Sequence, residues 1–219
     1  MAQAQAPGQG GTVVPPDPWD PLVRISHWAI AAAVIANYLL TKPGGIWHVW
    51  IGWAVLALLG IRLIWGIIGT AEARFSAFPP NPRAAVRHLF DLFGGRAREH
   101  PSHNPAAAIM VYALWACLAT VTATGLVMTG AKSPVTIAEE KAAVAAGDWS
   151  VLVKPDGEGE NEGDDNERGL GKAAGEVHEV AANLMVVLAL LHVAGVAVES
   201  RALGRNLVRP MILGRRRRR

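Results

Sequence analysis

The stretch VHEVAANLMVVLALLHVAGVAV, residues 177–198, decides how this chain is read. It is apolar and long enough to cross a bilayer as a helix, which takes about 20 residues. Yet it contains two histidines, His178 and His192, 14 residues apart. At about 3.6 residues per turn that is nearly four whole turns, so both rings leave the same face. At about 1.5 Å rise per residue they lie about 21 Å apart along the axis. Polar side chains in hydrocarbon are expensive and usually functional. Two on one face, one toward each side of a membrane, point to two stacked cofactors.

Composition supports a membrane chain. Hydrophobic residues make up 51% of the 219 and charged residues only 18%. The mean hydropathy of +0.24 is also too high for an ordinary soluble domain. Apolar runs at 21–40, 46–69 and 106–130 join the one at 177–198. Backbone in hydrocarbon must satisfy its own hydrogen bonds, so four such runs mean four helices. The expected fold is all-α, an integral membrane four-helix bundle. Residues 19–200 form its one domain, with tails at 1–18 and 201–219. The first 17 residues, MAQAQAPGQGGTVVPPD, hold no apolar segment and no early positive charge, and read as a flexible tail rather than a signal peptide. The single cysteine, Cys117, falls mid-span and reads as a small lipid-buried or core residue.

Charge sets the orientation. The segment 71–105 carries five arginines (Arg74, Arg83, Arg87, Arg96, Arg98) against three acids, and the chain after Glu199 carries eight more. The loop 131–176 has five Lys and Arg against 11 acids, and the short 41–45 connection has only Lys42. Basic segments stay in the cytoplasm. Both termini and 71–105 are therefore expected on the cytoplasmic side of the membrane, and the acidic loop outside. Trp19, Trp28, Trp47, Trp50 and Trp65 fall near the proposed helix ends, as interfacial indoles do. Val86, Leu89, Phe90 and Phe93 recur at helical spacing opposite Arg83, Arg87 and Asp91, which predicts an amphipathic helix on the inner surface. The run DGEGENEGDDNERGLG, 156–171, reads as a mobile, solvated insertion without the ligand spacing of an EF-hand loop.

Seven histidines occur, and four lie within spans: His27, His48, His178 and His192. Depth pairs His48 with His178 on the outer side and His27 with His192 on the inner side. Each pair takes one ring from each of two helices. A histidine-only zinc site needs three or four ligands at one depth. Two per depth fit a planar metallocycle held between helices by two imidazoles, that is, haem. His48 and Arg62 are also 14 apart, so Arg62 belongs at the inner depth, and Arg24 lies three residues before His27. Guanidinium groups suit the carboxylates of haem propionates. Arg24 and Arg62 are therefore candidate inner-haem contacts, with snorkelling to lipid phosphate as the alternative. Gly52 and Ala182 lie one turn from His48 and His178 and leave room for a macrocycle, though small residues also serve helix packing. His88, His100 and His103 fall in the 71–105 segment. Ser102 or Asn104 is placed to cap the third span, with Pro105 in its first turn.

WDPLVRISHW at 19–28, HVWIG at 48–52, RLIWGIIG at 62–69, HNP at 103–105 and the spaced pair His178 and His192 together resemble the bacterial cytochrome b561 and nickel–iron hydrogenase b-type cytochrome family. The resemblance runs from Trp19 to Gly214. It implies a four-helix membrane bundle with two b-type haems, and His27, His48, His178 and His192 as axial ligands. The long acidic third loop departs from compact members.

A bis-histidine haem leaves no open position for oxygen and suits electron transfer. The expected function is a cytochrome b subunit moving electrons between the membrane quinone pool and a periplasmic partner. That partner is a hydrogenase, another dehydrogenase or a cytochrome c. Two other readings stand beside it: a stand-alone superoxide:quinone oxidoreductase, and a non-redox helical transporter or assembly protein. The first needs a cationic outer surface, which the acidic loop does not offer. The cofactors expected are two haem b, with quinone as an exchangeable redox partner. Membrane lipid and a second copy of the chain are the other candidate partners, and no nucleic acid is expected.

Overall fold

The computed structural model describes residues 19–96, 98–100, 102–152 and 162–213. The expected tail at 1–18, the 156–161 part of the acidic run and the terminal Arg215–Arg219 cluster lie outside the described residues. Every regular element among the described residues is helical. The four long ones are α1 (Pro21–Leu39), α2 (Ile46–Ile68), α4 (Pro105–Met128) and α6 (Glu162–Ala202). Three shorter helices connect or flank them: α3 (Pro82–Phe93), α5 (Pro134–Ala145) and α7 (Arg209–Ile212).

One local device starts four of these helices. Asp20, Asn81, Asn104 and Ser133 each precede a proline, and their side chains accept from Val23, Ala84, Ala107 and Thr136 backbone N–H groups at 3.2, 3.0, 2.7 and 3.1 Å. A polar cap takes an orphan N–H, while proline at the first position sacrifices none. Of the two candidates before α4, Asn104 is the cap, and the Ser102 hydroxyl instead donates to the Glu72 carbonyl at 2.9 Å. The α1–α2 connection turns through Gly44 at φ +66°, a region that favours glycine.

Each long helix contains an apolar stretch sufficient to cross a membrane, and their sides carry the expected surface. Ile35, Leu39, Ile64, Ile67, Ile68, Val180, Leu190 and Val193 are all well exposed. In water this would be a large aggregating patch; lipid covers it. The buried centre is Val55 and Leu59 of α2, Cys117 and Leu118 of α4, and Ala181 and Met185 of α6. Cys117 is a core residue, as its position predicted, with its thiol donating to the Ala181 carbonyl at 3.0 Å.

Helix α6 packs along α4 over most of its length, and α1 packs on α2. Neither α1 nor α2 packs extensively on α6. A wider space therefore separates the α1–α2 pair from α6, and that space holds the site.

Two features differ from the sequence reading. Helix α6 starts at Glu162, inside the run expected to be a mobile insertion. No proline interrupts 162–202, so nothing in the sequence stops the helix between the span and Glu162. The chain after Ala202 is also more than a charged tail. Its α7 segment folds back on α1: Trp19 N–H donates to the Pro210 carbonyl at 3.2 Å and Trp28 Nε1 to the Met211 carbonyl at 3.0 Å.

Candidate cofactor site

One layer, the outer one on the expected orientation, is built by His48 in the first turn of α2 and His178 in α6. Their ring centroids lie 6.1 Å apart at an interplanar angle of 58°. A threonine hydroxyl stands behind each ring. Thr124 Oγ1 lies 3.0 Å from His178 Nδ1, and Thr41 Oγ1 lies 3.3 Å from His48 Nδ1. A hydroxyl has one hydrogen. That of Thr124 is donated to the carbonyls of Thr120 and Val121, at 2.7 and 3.1 Å. That of Thr41 is donated to Asn37, whose backbone and side-chain oxygens lie at 2.9 and 3.1 Å. So engaged, both hydroxyls are placed to accept from Nδ1–H. The tautomer that matches this arrangement leaves the Nε2 lone pair of each ring free for a metal. The His178 ring lies against α4 at Gly125, where an added Cβ would come into ordinary contact with its Cε1 at 3.5 Å.

The inner layer is built by His27 of α1 and His192 of α6. Their centroids are also 6.1 Å apart, at 55°. Its surroundings are charged and aromatic. Arg62 of α2 is only 5% exposed. Its guanidinium carbon sits 5.2 Å from the centroid of the Trp115 ring, a cation–π contact. Its Nη1 is buried without a hydrogen-bond partner among the described residues. Such an orphan is costly unless a further group meets it. Phe75 and Phe78 of the 71–104 segment close this end over Tyr112 and Trp115, with centroid spacings of 5.2–6.4 Å. Phe75 seats against Gly66, one turn beyond Arg62; three of its ring atoms lie where a Cβ would have to go. The His103 ring packs, tilted, against Phe78 and Trp19, with centroids 4.6 and 5.1 Å away. Burial, and then the neighbouring Arg62 charge, push its pKa down to about 4, so it stands as the neutral ring.

The side chains fit a macrocycle with an iron at its centre. A metal midway between two imidazoles, bonded to one nitrogen of each at about 2 Å, puts the ring centroids a little over about 6 Å apart. Both pairs meet this spacing. Among the described residues no three His, Cys, Asp or Glu converge, so each layer offers two ligands and no zinc-type set. No side chain fills the space beside Gly52, one turn from His48, where an added Cβ would meet nothing within 4 Å. The helices on the two sides of each pair stand apart, as a flat cofactor between them requires.

Of the six residues singled out in the sequence, four thus form two ring pairs, and Arg62 lies beside the inner one. Arg24 is placed differently. Its Nη2 donates to the Ile212 carbonyl at 2.7 Å and its Nε to Met211 at 3.4 Å, so it holds the α7 segment. Thr41, Thr124, Trp115 and the Phe75–Phe78 cluster carry no sequence signal of their own. Thr124 sits 54 residues from the ring it touches, and only the α4–α6 packing brings them together.

A family model described as prokaryotic cytochrome b561 matches residues 18–214. Comparison with curated proteins and with solved structures yields no match. The family match spans all four apolar helices and the segments that join them. The chain therefore belongs to the prokaryotic cytochrome b561 family, as a multi-pass membrane b-type cytochrome of electron transfer.

Proposed function

We infer that this chain binds two b-type haems, one in each histidine layer, and moves electrons between a membrane quinone pool and a periplasmic redox partner. The observation that carries the reading is the matched spacing of the two pairs, 6.1 Å in each, across the open side of the bundle. His48 and His178 are the outer axial ligands, and His27 and His192 the inner ones. Haem held by two imidazoles supplies one-electron, outer-sphere redox chemistry.

The chain's own residues do the rest. Thr41 and Thr124 hold the outer imidazoles in the tautomer that presents Nε2. Arg62 offers its buried Nη1 to a propionate at the inner layer, which would satisfy it. Arg24, engaged by main-chain carbonyls, is the weaker of the two arginine candidates. The buried Val55, Leu59, Cys117, Leu118, Ala181 and Met185 keep water out of the middle of the path.

Orientation follows the charge pattern. The described N-terminal and C-terminal ends meet at the inner-layer end, beside the arginine-rich 71–105 segment, and the positive-inside rule puts that end in the cytoplasm. The 131–176 loop then faces the periplasm, over the outer layer. Its acidic character suits a basic docking face on a hydrogenase, another dehydrogenase or a cytochrome c.

Haem content tests the reading. Purified protein should carry two haems per chain and show a reduced-minus-oxidised α-band typical of haem b. One haem per chain, or none in fully inserted protein, would overturn it. Reduction by a quinol in proteoliposomes, with oxidation by a periplasmic-side acceptor, tests the electron path.

A further inference from the structure

A second cavity, of about 370 Å³, lies at the inner-layer end, away from both histidine pairs. Arg83 and Arg87 of α3 line it, with Arg96 and Arg98 from the segment that follows. His88 and His100 complete its polar wall, their centroids 5.4 Å apart. The one lining carboxylate, Asp91, is already paired with Arg96 at 3.1 Å. His88 is not free to swing away. It is 7% exposed, and its Nε2 meets Glu199 of α6 at 3.1 Å. This buried pair ties α3 to the last turns of α6 and fixes one wall. The neighbouring Glu99 is engaged by Arg205 at 3.3 Å. The cavity therefore holds an excess of cationic donors over anionic groups, and its natural guest is an anion with several acceptor oxygens.

Depth and the adjoining surface say which anion. Pro105, the first residue of the α4 span, lines the cavity, so it opens at the level where hydrocarbon gives way to headgroups. The next face of α3 is apolar and bare. Phe90 is 72% exposed and Phe93 79%, with Val86 and Leu89 beside them. Arg83 and Phe90 are seven residues apart, about two turns, and so share a bearing on the helix. One molecule with a phosphate head and acyl tails would satisfy both faces. A free phosphate would engage the arginines alone and make no contact with the phenylalanines.

We propose that this cavity binds the phosphate headgroup of an anionic phospholipid, whose acyl chains lie along the Val86, Leu89, Phe90 and Phe93 face of α3. The site is separate from the haem layers and does not depend on them.

The test uses full-length, haem-loaded protein stripped of lipid in detergent. Short-chain phosphatidylglycerol, short-chain phosphatidylcholine and inorganic phosphate are titrated in separate arms, with bound adducts counted by native mass spectrometry. We expect a saturable one-to-one phosphatidylglycerol adduct that millimolar inorganic phosphate does not displace. Phosphatidylcholine should bind at least about tenfold more weakly, as should phosphatidylglycerol to an Arg83→Ala, Arg87→Ala variant. The haem spectrum of that variant should match that of the parent. Should the double variant fail to insert, Arg87→Ala alone reads the same loss in smaller measure. Equal binding of the two lipids, or binding untouched by the arginine changes, overturns the proposal. So does displacement by inorganic phosphate, which would make the cavity a soluble-anion site.

Discussion

The two histidine layers share a ring spacing and differ in almost everything around it. The outer rings are steered by neutral groups: a threonine hydroxyl behind each, with Asn37 behind Thr41. The inner rings lie beside a buried guanidinium, a neutral His103 and an aromatic wall. Ring-pair geometry is thus common to the two layers, and the electrostatic setting is particular to each. A positive charge near an iron centre favours the reduced state, while a neutral hydroxyl pair fixes orientation without adding charge. On these grounds the inner haem should have the higher midpoint potential, and redox titration of the two α-bands would show it.

The largest effects should come from removing a ring. His48→Ala or His178→Ala should abolish the outer haem and spare most of the inner one, halving haem per chain. His27→Ala and His192→Ala should do the converse. A single change that removed both signals equally would mean that the layers are not independent. Arg62→Met comes next, since it keeps much of the volume and removes the charge. At an effective dielectric near 20 and a separation of about 8–12 Å, a unit charge shifts a one-electron potential by roughly 50–100 mV. The inner midpoint should fall by that order and the outer one should stay. Movement of the outer potential instead would place Arg62 at the wrong layer.

Much of this contrast is legible in the sequence because helices impose a period. The 14-residue spacings of His178 with His192 and of His48 with Arg62 give face and depth directly. The caps at Asp20, Asn81 and Asn104 are legible too, since a polar residue before proline has a local cause. The α3 pattern at Val86, Leu89, Phe90 and Phe93 is local in the same sense. What the sequence hides is whatever depends on two elements meeting. Nothing near Thr124 marks it as the partner of His178. The His88–Glu199 pair joins positions 111 residues apart. The docking of α7 on α1 is likewise invisible, because it runs through the main-chain carbonyls of Pro210, Met211 and Ile212, which leave no mark in the sequence. Helix α5 was missed for a different reason: its mixed sequence, PVTIAEEKAAVA, has weak amphipathic periodicity, and its place is set by packing on α2.

Smaller effects should come from the threonines, which belong to the outer layer alone. Thr124→Val keeps the shape and removes the acceptor of the shorter bond. Loss of such a second contact typically weakens metal retention by about 10–100-fold. Thr124→Val should sit near the low end, because His178 remains packed against Gly125. The outer haem should be lost first on dilution or on competition with a haem-binding acceptor protein, and the inner haem should be unmoved. Thr41→Val should do less, since its bond to His48 is longer, at 3.3 Å against 3.0 Å. Thr124→Ser, which restores the hydroxyl, should recover most of the retention.

Arg24→Ala should do least to either haem, and for that reason it separates the two arginines. Arg24 is spent on the Met211 and Ile212 carbonyls, with no buried donor left without a partner, unlike Arg62. Its removal should loosen the α7 segment from α1, where Trp28 Nε1 would remain the one side-chain bond to Met211. Limited proteolysis should then cut sooner near Leu203–Val208, while both midpoint potentials stay within experimental scatter. A shift of the inner potential as large as that of Arg62→Met would show that Arg24 also faces a propionate. The inner layer would then rest on two guanidinium groups, which would widen its difference from the hydroxyl-steered outer layer.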